Sequence, residues 1–99
     1  MSNIPLPSEE DRAALELAVS ILKGHGAEAV YLFGSMASGS ARPDSAWDIG
    51  VEGLPPSVFF HALGELLDHM NRRVELVELD DGSRFASFLK EWEELIRVA

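Results

Sequence analysis

The sequence predicts an α/β domain, a three-stranded mixed sheet with helices packed against it. Three observations carry this. Apolar residues recur at helical spacing in three segments. Three short runs between or beside them are apolar or alternating, as strands are. Gly, Pro, Asp and Ser separate the segments at the turns. The resulting order is helix, strand, loop, strand, helix, strand, helix, which is the pattern of a layered α/β fold. Ninety-nine residues allow one domain, 1–99, with a single core.

Each element has its own signal. Ser8 is placed to cap a first helix, with Glu9, Glu10 and Asp11 in the first turn, where the helix dipole favours acids. Ala14, Leu15, Ala18, Ile21 and Leu22 define its buried face, and "GHG" (24–26) ends it. "AEAVYLF" (27–33) is a mostly apolar strand covered on both faces. A loop of Gly, Ser, Ala, Pro and Asp follows, with one helical turn beginning after Ser35. "WDIGVEG" (47–53) alternates as a second strand. Pro55 and Pro56 introduce a helix with Phe59, Ala62, Leu63, Leu66, Leu67 and Met70 on one face. "RRVELVEL" (72–79) is the third strand and "DDGS" (80–83) a turn, with Ser83 as cap. The last helix carries Phe85, Phe88, Leu89, Trp92, Leu95 and Ile96 on one face. Its aromatic stripe is most simply core, with part available to a partner.

Composition narrows the function. Net charge is −9, with eight Lys and Arg. Phosphate backbones are held chiefly by such cations, so direct nucleic-acid binding is not expected. A basic protein partner, or small anions held through a metal, suits an acidic chain better. No apolar run is long enough to span a bilayer, and "MSNIPLPSEEDR" (1–12) lacks the features of a secretory signal. The chain has no cysteine, which excludes thiolate chemistry and cysteine-based zinc sites. A cytoplasmic location is the expectation.

The chemistry concentrates in "LFGSMASGSARPDSAWDIGVEG" (32–53). A Gly-Ser turn after a buried strand, entering a helical turn, offers backbone N–H groups and a hydroxyl to phosphate oxygens. Gly34 lets phosphate approach the backbone and Ser35 can donate a hydrogen bond. On the following strand, positions 46 and 48 share a face, while Trp47 and Ile49 point to the core. Carboxylates at both would suit Mg²⁺. Asp48 is present; position 46 is Ala46.

"GSMASGSARPDSAWDIGV" (34–51) resembles the signature of the DNA polymerase beta nucleotidyltransferase superfamily, most closely its minimal nucleotidyltransferase (MNT) branch. That signature is Gly-Ser, ten residues, then Asp-x-Asp; here the first aspartate is Ala46. The resemblance spans about residues 29–79 and implies the small nucleotidyltransferase fold. It also implies a third acid on a neighbouring strand. "VELV" (74–77) puts Glu75 there; Glu78 competes but has the opposite strand parity.

By this resemblance, AMP would pass from ATP to a hydroxyl with two Mg²⁺ ions at the reacting phosphate. Gly34 and Ser35 would hold phosphates, with Arg42 a further nucleotide-binding candidate in the loop. Asp48 and Glu75 would ligate metal, and position 46 would be the missing shared acid. The chain as written would then be impaired. A deliberate Asp-to-Ala change in an active enzyme is favoured by the intact flanking motif, over a natural pseudoenzyme kept for binding.

With one domain expected over 1–99, no second domain to grip an acceptor is expected within these residues. The resemblance therefore implies an acceptor presented by another protein, a HEPN-domain ribonuclease toxin. The chain would be its antitoxin, modifying a toxin tyrosine within a hetero-oligomer. Alternatives are a non-catalytic antitoxin that acts by binding, and nucleotide addition to RNA presented by the partner. His25, His61 and His69 lack the i, i+4 pairing of a helical metal site, which favours surface or cap roles. Arg72 and Arg73 suit either an acidic group or the dipole at a helix end.

Overall fold

The computed structural model describes residues 4–92 and 94–99. Ser8 adopts extended backbone and its hydroxyl accepts from the Asp11 N–H at 3.1 Å, starting helix α1 (Glu9–Gly24). Strand β1 (Ala29–Phe33) leads through Gly34 into the single-turn helix α2 (Ser35–Ser38). Strand β2 (Trp47–Glu52) follows the loop, then a 3₁₀ turn at Pro56–Val58 and helix α3 (Phe59–His69). Strand β3 (Val74–Glu78), helix α4 (Arg84–Trp92) and a short strand β4 (Ile96–Arg97) complete the chain. Ser83 caps α4 as the sequence suggests, accepting from the Ala86 N–H at 3.0 Å.

The sheet has four strands rather than the expected three, in the order β3-β2-β1-β4. It is mixed: β1 runs antiparallel to β2 and β4, and β2 parallel to β3. Ile96 therefore belongs to a strand and not to the face of the last helix. Helix α4 stops at Trp92, and Ile96 and Arg97 pair with Leu32 and Tyr31. Beyond them Val98 N–H donates to the Val30 carbonyl at 2.8 Å, and Val30 N–H to the Ala99 carbonyl at 3.1 Å. The apolar periodicity that links Trp92 to Ile96 cannot register a free sheet edge. The unpaired N–H and C=O groups of β1 decide the conformation of the last residues.

The strands sort their side chains onto two faces. Val30, Leu32, Trp47, Ile49, Val51 and Val74 join α1 and α3 in the main core. On the other face Phe33 and Leu79 meet Leu89 of α4 in a smaller cluster. Gly50 lies beneath that cluster; a Cβ there would sit 2.7 Å from Cδ1 of Leu79.

Helix α4 turns differently from the expected core stripe. Ala86 and Leu89 are buried, whereas Phe85, Phe88 and Trp92 are 57%, 54% and 72% exposed. The second cluster needs only a narrow contact, so most of the aromatic surface faces outward. Leu67 of α3 is likewise exposed, although Ala62 and Leu66 are fully buried. No helix among the described residues is long and apolar enough to cross a membrane.

Candidate functional site

The Gly-Ser turn lies directly against the second strand. Gly34 has φ +73°, a left-handed value that only glycine adopts without strain. A Cβ added to it would overlap Oδ2 of Asp48 and lie 3.0 Å from Cγ. Gly34 is thus required twice, for its backbone conformation and for the space the carboxylate occupies. The register explains the closeness, because Phe33, the residue before the turn, pairs with Asp48. At the start of α2 the Gly34 carbonyl accepts from the N–H groups of Ala37 and Ser38, both at 3.1 Å. The first N–H groups of a helix have no acceptor within it, and these lie beside Ser35 and Met36.

Asp48 and Glu75 are register partners on adjacent parallel strands. Neighbouring strands stand about 4.8 Å apart, so the two side chains rise side by side. They share the face of Phe33 and Leu79, opposite the main core. Asp48 is half-buried and Glu75 exposed. Glu78 pairs with the core residue Val51, which puts it on the other face from Asp48. Between the two glutamates, the fold brings Glu75 to Asp48. Ala46 is half-buried and immediately precedes β2, where strand alternation carries it toward the face of Asp48.

Asp48 and Glu75 supply the oxygen donors that a hard divalent cation takes, and Mg²⁺ is commonly held by one or two carboxylates plus phosphate. The residues present fit such an ion with two acids and lack a third at Ala46. A hollow of about 50 Å³ adjoins the turn, lined by Gly34, Ala37, Ser38 and Glu94. Glu94 went unremarked in the sequence.

The loop leading to Ala46 is held by a network in which Arg72 takes the first of its two expected roles, meeting an acidic group. Asp11 is 1% exposed. Arg72 grips it bidentately, Nε to Oδ1 at 2.8 Å and Nη2 to Oδ2 at 3.0 Å. Nη1 of Arg72 donates to the carbonyls of Arg42, Pro43 and Ser45, at 2.7, 3.0 and 3.3 Å. Asn71 donates to Asp11 at 2.8 Å and accepts from the buried Trp47 indole at 2.9 Å. The hydrogen bond from Arg72 is the main cause that lowers the Asp11 carboxyl to about 2, against the opposing effect of burial. Arg72 is therefore a structural anchor for the loop. Arg42 is exposed, and its backbone is tied down at both ends, its N–H to Ser45 Oγ at 2.8 Å and its carbonyl to Arg72. A second depression of about 210 Å³ lies by this loop, lined by residues that include Asp44, Arg72 and Arg73.

His25 takes the expected cap role at the end of α1 and His61 and His69 are exposed, but His25 and His61 also converge on Glu65. His25 Nε2 meets Glu65 Oε1 at 2.8 Å, and His61 Nε2 lies 3.7 Å from the same oxygen. His61-x-x-x-Glu65 at helical spacing was a signal available in the sequence; the arrival of His25 from the end of α1 was not.

Residues 16–96 match the family model described as "Polymerase beta, Nucleotidyltransferase". This chain belongs to that nucleotidyltransferase family. Its fold is also similar to a chain of a solved structure described as "Crystal structure of the toxin-antitoxin with AMP-PNP". The TM-score is 0.63 at 20% identity, covering 89% of this chain and 72% of that one. A search of curated proteins finds no match.

Proposed function

We propose that this chain is the antitoxin of a toxin–antitoxin pair, built as a minimal nucleotidyltransferase for moving AMP from ATP to its toxin. The observation that carries the reading is the contact between Gly34 and the Asp48 carboxylate, with Glu75 in register beside it. A Gly-Ser turn suited to phosphate and two carboxylates thus lie on one face, which supports nucleotidyl transfer. The similar fold solved in a toxin–antitoxin structure with AMP-PNP supports the same biological setting.

In this reading the backbone of Gly34 and Ser35 holds the triphosphate, with Arg42 at the loop edge. Asp48 and Glu75 hold divalent cation, and Glu75, the more exposed, faces the incoming hydroxyl. Bound Mg²⁺ would supply charge neutralisation at the phosphates and activation of the attacking oxygen. The acceptor is a tyrosine of a HEPN ribonuclease toxin. Its docking surface is the exposed aromatic side of α4, where Phe85, Phe88 and Trp92 lie.

Ala46 removes one acid from this site, and the chain as it stands is impaired in transfer. Loss of even an outer-shell partner costs about 10–100-fold, and a directly ligating acid costs more. The test is to co-express the chain and its Ala46→Asp variant with the cognate toxin and follow label transfer from ATP. Labelled toxin tyrosine with the variant alone supports the proposal. Toxin captured and silenced by both chains without label would replace it with a purely binding antitoxin.

A further inference from the structure

A cluster of two histidines and a glutamate lies on the opposite layer of the molecule from Gly34 and Asp48. His25 caps the end of α1, and its backbone N–H is held by the carbonyls of Ile21 and Leu22. His61 and Glu65 stand one turn apart on α3. Packing of α1 on α3 through the main core brings the three together, although His25 is 40 residues from Glu65 in sequence. The two imidazole rings meet edge to face, with centroids 5.4 Å apart. One ligand atom from each of the three residues lies within 4.8 Å of the other two.

We propose that His25, His61 and Glu65 bind a transition-metal ion of the Zn²⁺ class. Zinc takes His nitrogen and carboxylate oxygen at about 2.0–2.2 Å in a tetrahedron, so its ligand atoms stand about 3.3 Å apart. The observed separations of 2.8 and 3.7 Å straddle that value. His61, 73% exposed, has room to rotate toward an ion, while the less exposed His25 (19%) is already held against Glu65 at 2.8 Å. Two imidazoles and one carboxylate select zinc, nickel or copper over Mg²⁺, which prefers an all-oxygen shell. Three protein ligands leave the fourth position to water or to a group from a partner. The ion would tie the end of α1 to the middle of α3.

The experiment uses the untagged chain stripped of metal with a chelator. Zn²⁺ is titrated in competition with a chromophoric chelator, and Co²⁺ is added separately to read coordination from its visible spectrum. The expected result is one tight Zn²⁺ equivalent, an intense tetrahedral Co²⁺ spectrum, and no competition from Mg²⁺. His61→Ala and Glu65→Gln should each weaken Zn²⁺ by more than about 100-fold, since each removes a direct ligand. Asp48→Asn and His69→Ala should leave affinity unchanged, which separates this site from the nucleotide face. Exposed His61 can be replaced without disturbing the core, and circular dichroism checks that the fold persists. Absence of the equivalent, or full affinity in His61→Ala, would overturn the proposal.

Discussion

Arg72→Ala is the substitution whose cost the structure determines best. In the native chain, Asp11 and Arg72 have side-chain exposures of 2% and 13% and are joined by two hydrogen bonds. A carboxyl held at about 2 rather than 3.8 contributes about 2 kcal/mol to folding at neutral pH. Because the folded value is depressed, that contribution is complete above the unfolded value. It is lost as pH falls from about 4 to about 2. Removing the guanidinium does more than forfeit this amount, because it leaves a buried carboxylate with burial now acting against its charge. Breaking a buried pair in this way costs about 3–5 kcal/mol. Three loop carbonyls lose their donor as well.

Chemical denaturation followed by Trp47 fluorescence is a suitable assay, since that indole is buried and bonded into the network. Asp81 is also lowered, by its hydrogen bonds from Ser83, so the native curve alone does not isolate Asp11. The difference between the native chain and Asp11→Asn removes that background. It should shrink as pH falls toward about 2. A difference that stays constant with pH, or an Arg72→Ala cost below about 1 kcal/mol, would refute the account of this pair.

Other expectations are simpler to test. Gly34→Ala should lower stability by about 1–3 kcal/mol in thermal melts, from strain at positive φ and overlap with Asp48. Gly64→Ala should do the reverse, adding up to about 1 kcal/mol, because a Cβ on that helical glycine meets nothing within 4 Å. Mg-ATP should raise the melting temperature of Ala46→Asp more than that of the native chain; equal shifts would show that position 46 ligates no metal. Trp92→Ser should leave stability within about 0.5 kcal/mol, because the ring is 72% exposed. It should nevertheless weaken capture of the toxin in pull-down, and undiminished capture would move the docking face elsewhere.

Several features were legible because their causes are local. Ser8 and Ser83 cap the helices they precede, since a cap needs only a hydroxyl three residues from an N–H. The face of α1 followed its periodicity. The Gly-Ser turn and the strand carrying Asp48 stood in one continuous stretch with recognisable spacing, and the match over residues 16–96 agrees with that resemblance. The resemblance pointed to Glu75 and strand parity set Glu78 on the other face; the parallel register of β2 and β3 is what puts Glu75 beside Asp48.

Tertiary structure decided what depended on partners distant in the chain. Periodicity marked an apolar stripe on α4 but could not show that the second face of the sheet had room for only Leu89 and Ala86, so Phe85, Phe88 and Trp92 were turned outward. Ile96 left its helical pattern because β1 offered an unsatisfied edge, and backbone groups must be paired when buried. Asp11 looked like an ordinary first-turn acid, and Arg72 suited either an acidic group or a helix dipole; sequence did not pair the two across 61 residues. Only the approach of α1 to the segment before β3 buried them together, and burial is what turns a pair of solvated charges into an anchor for the loop before Ala46. Local spacing, then, carried the caps, the strand faces and the Gly-Ser turn. Pairing across the fold, which spacing does not encode, set the fourth strand, the outward aromatics and the meeting of His25 with Glu65.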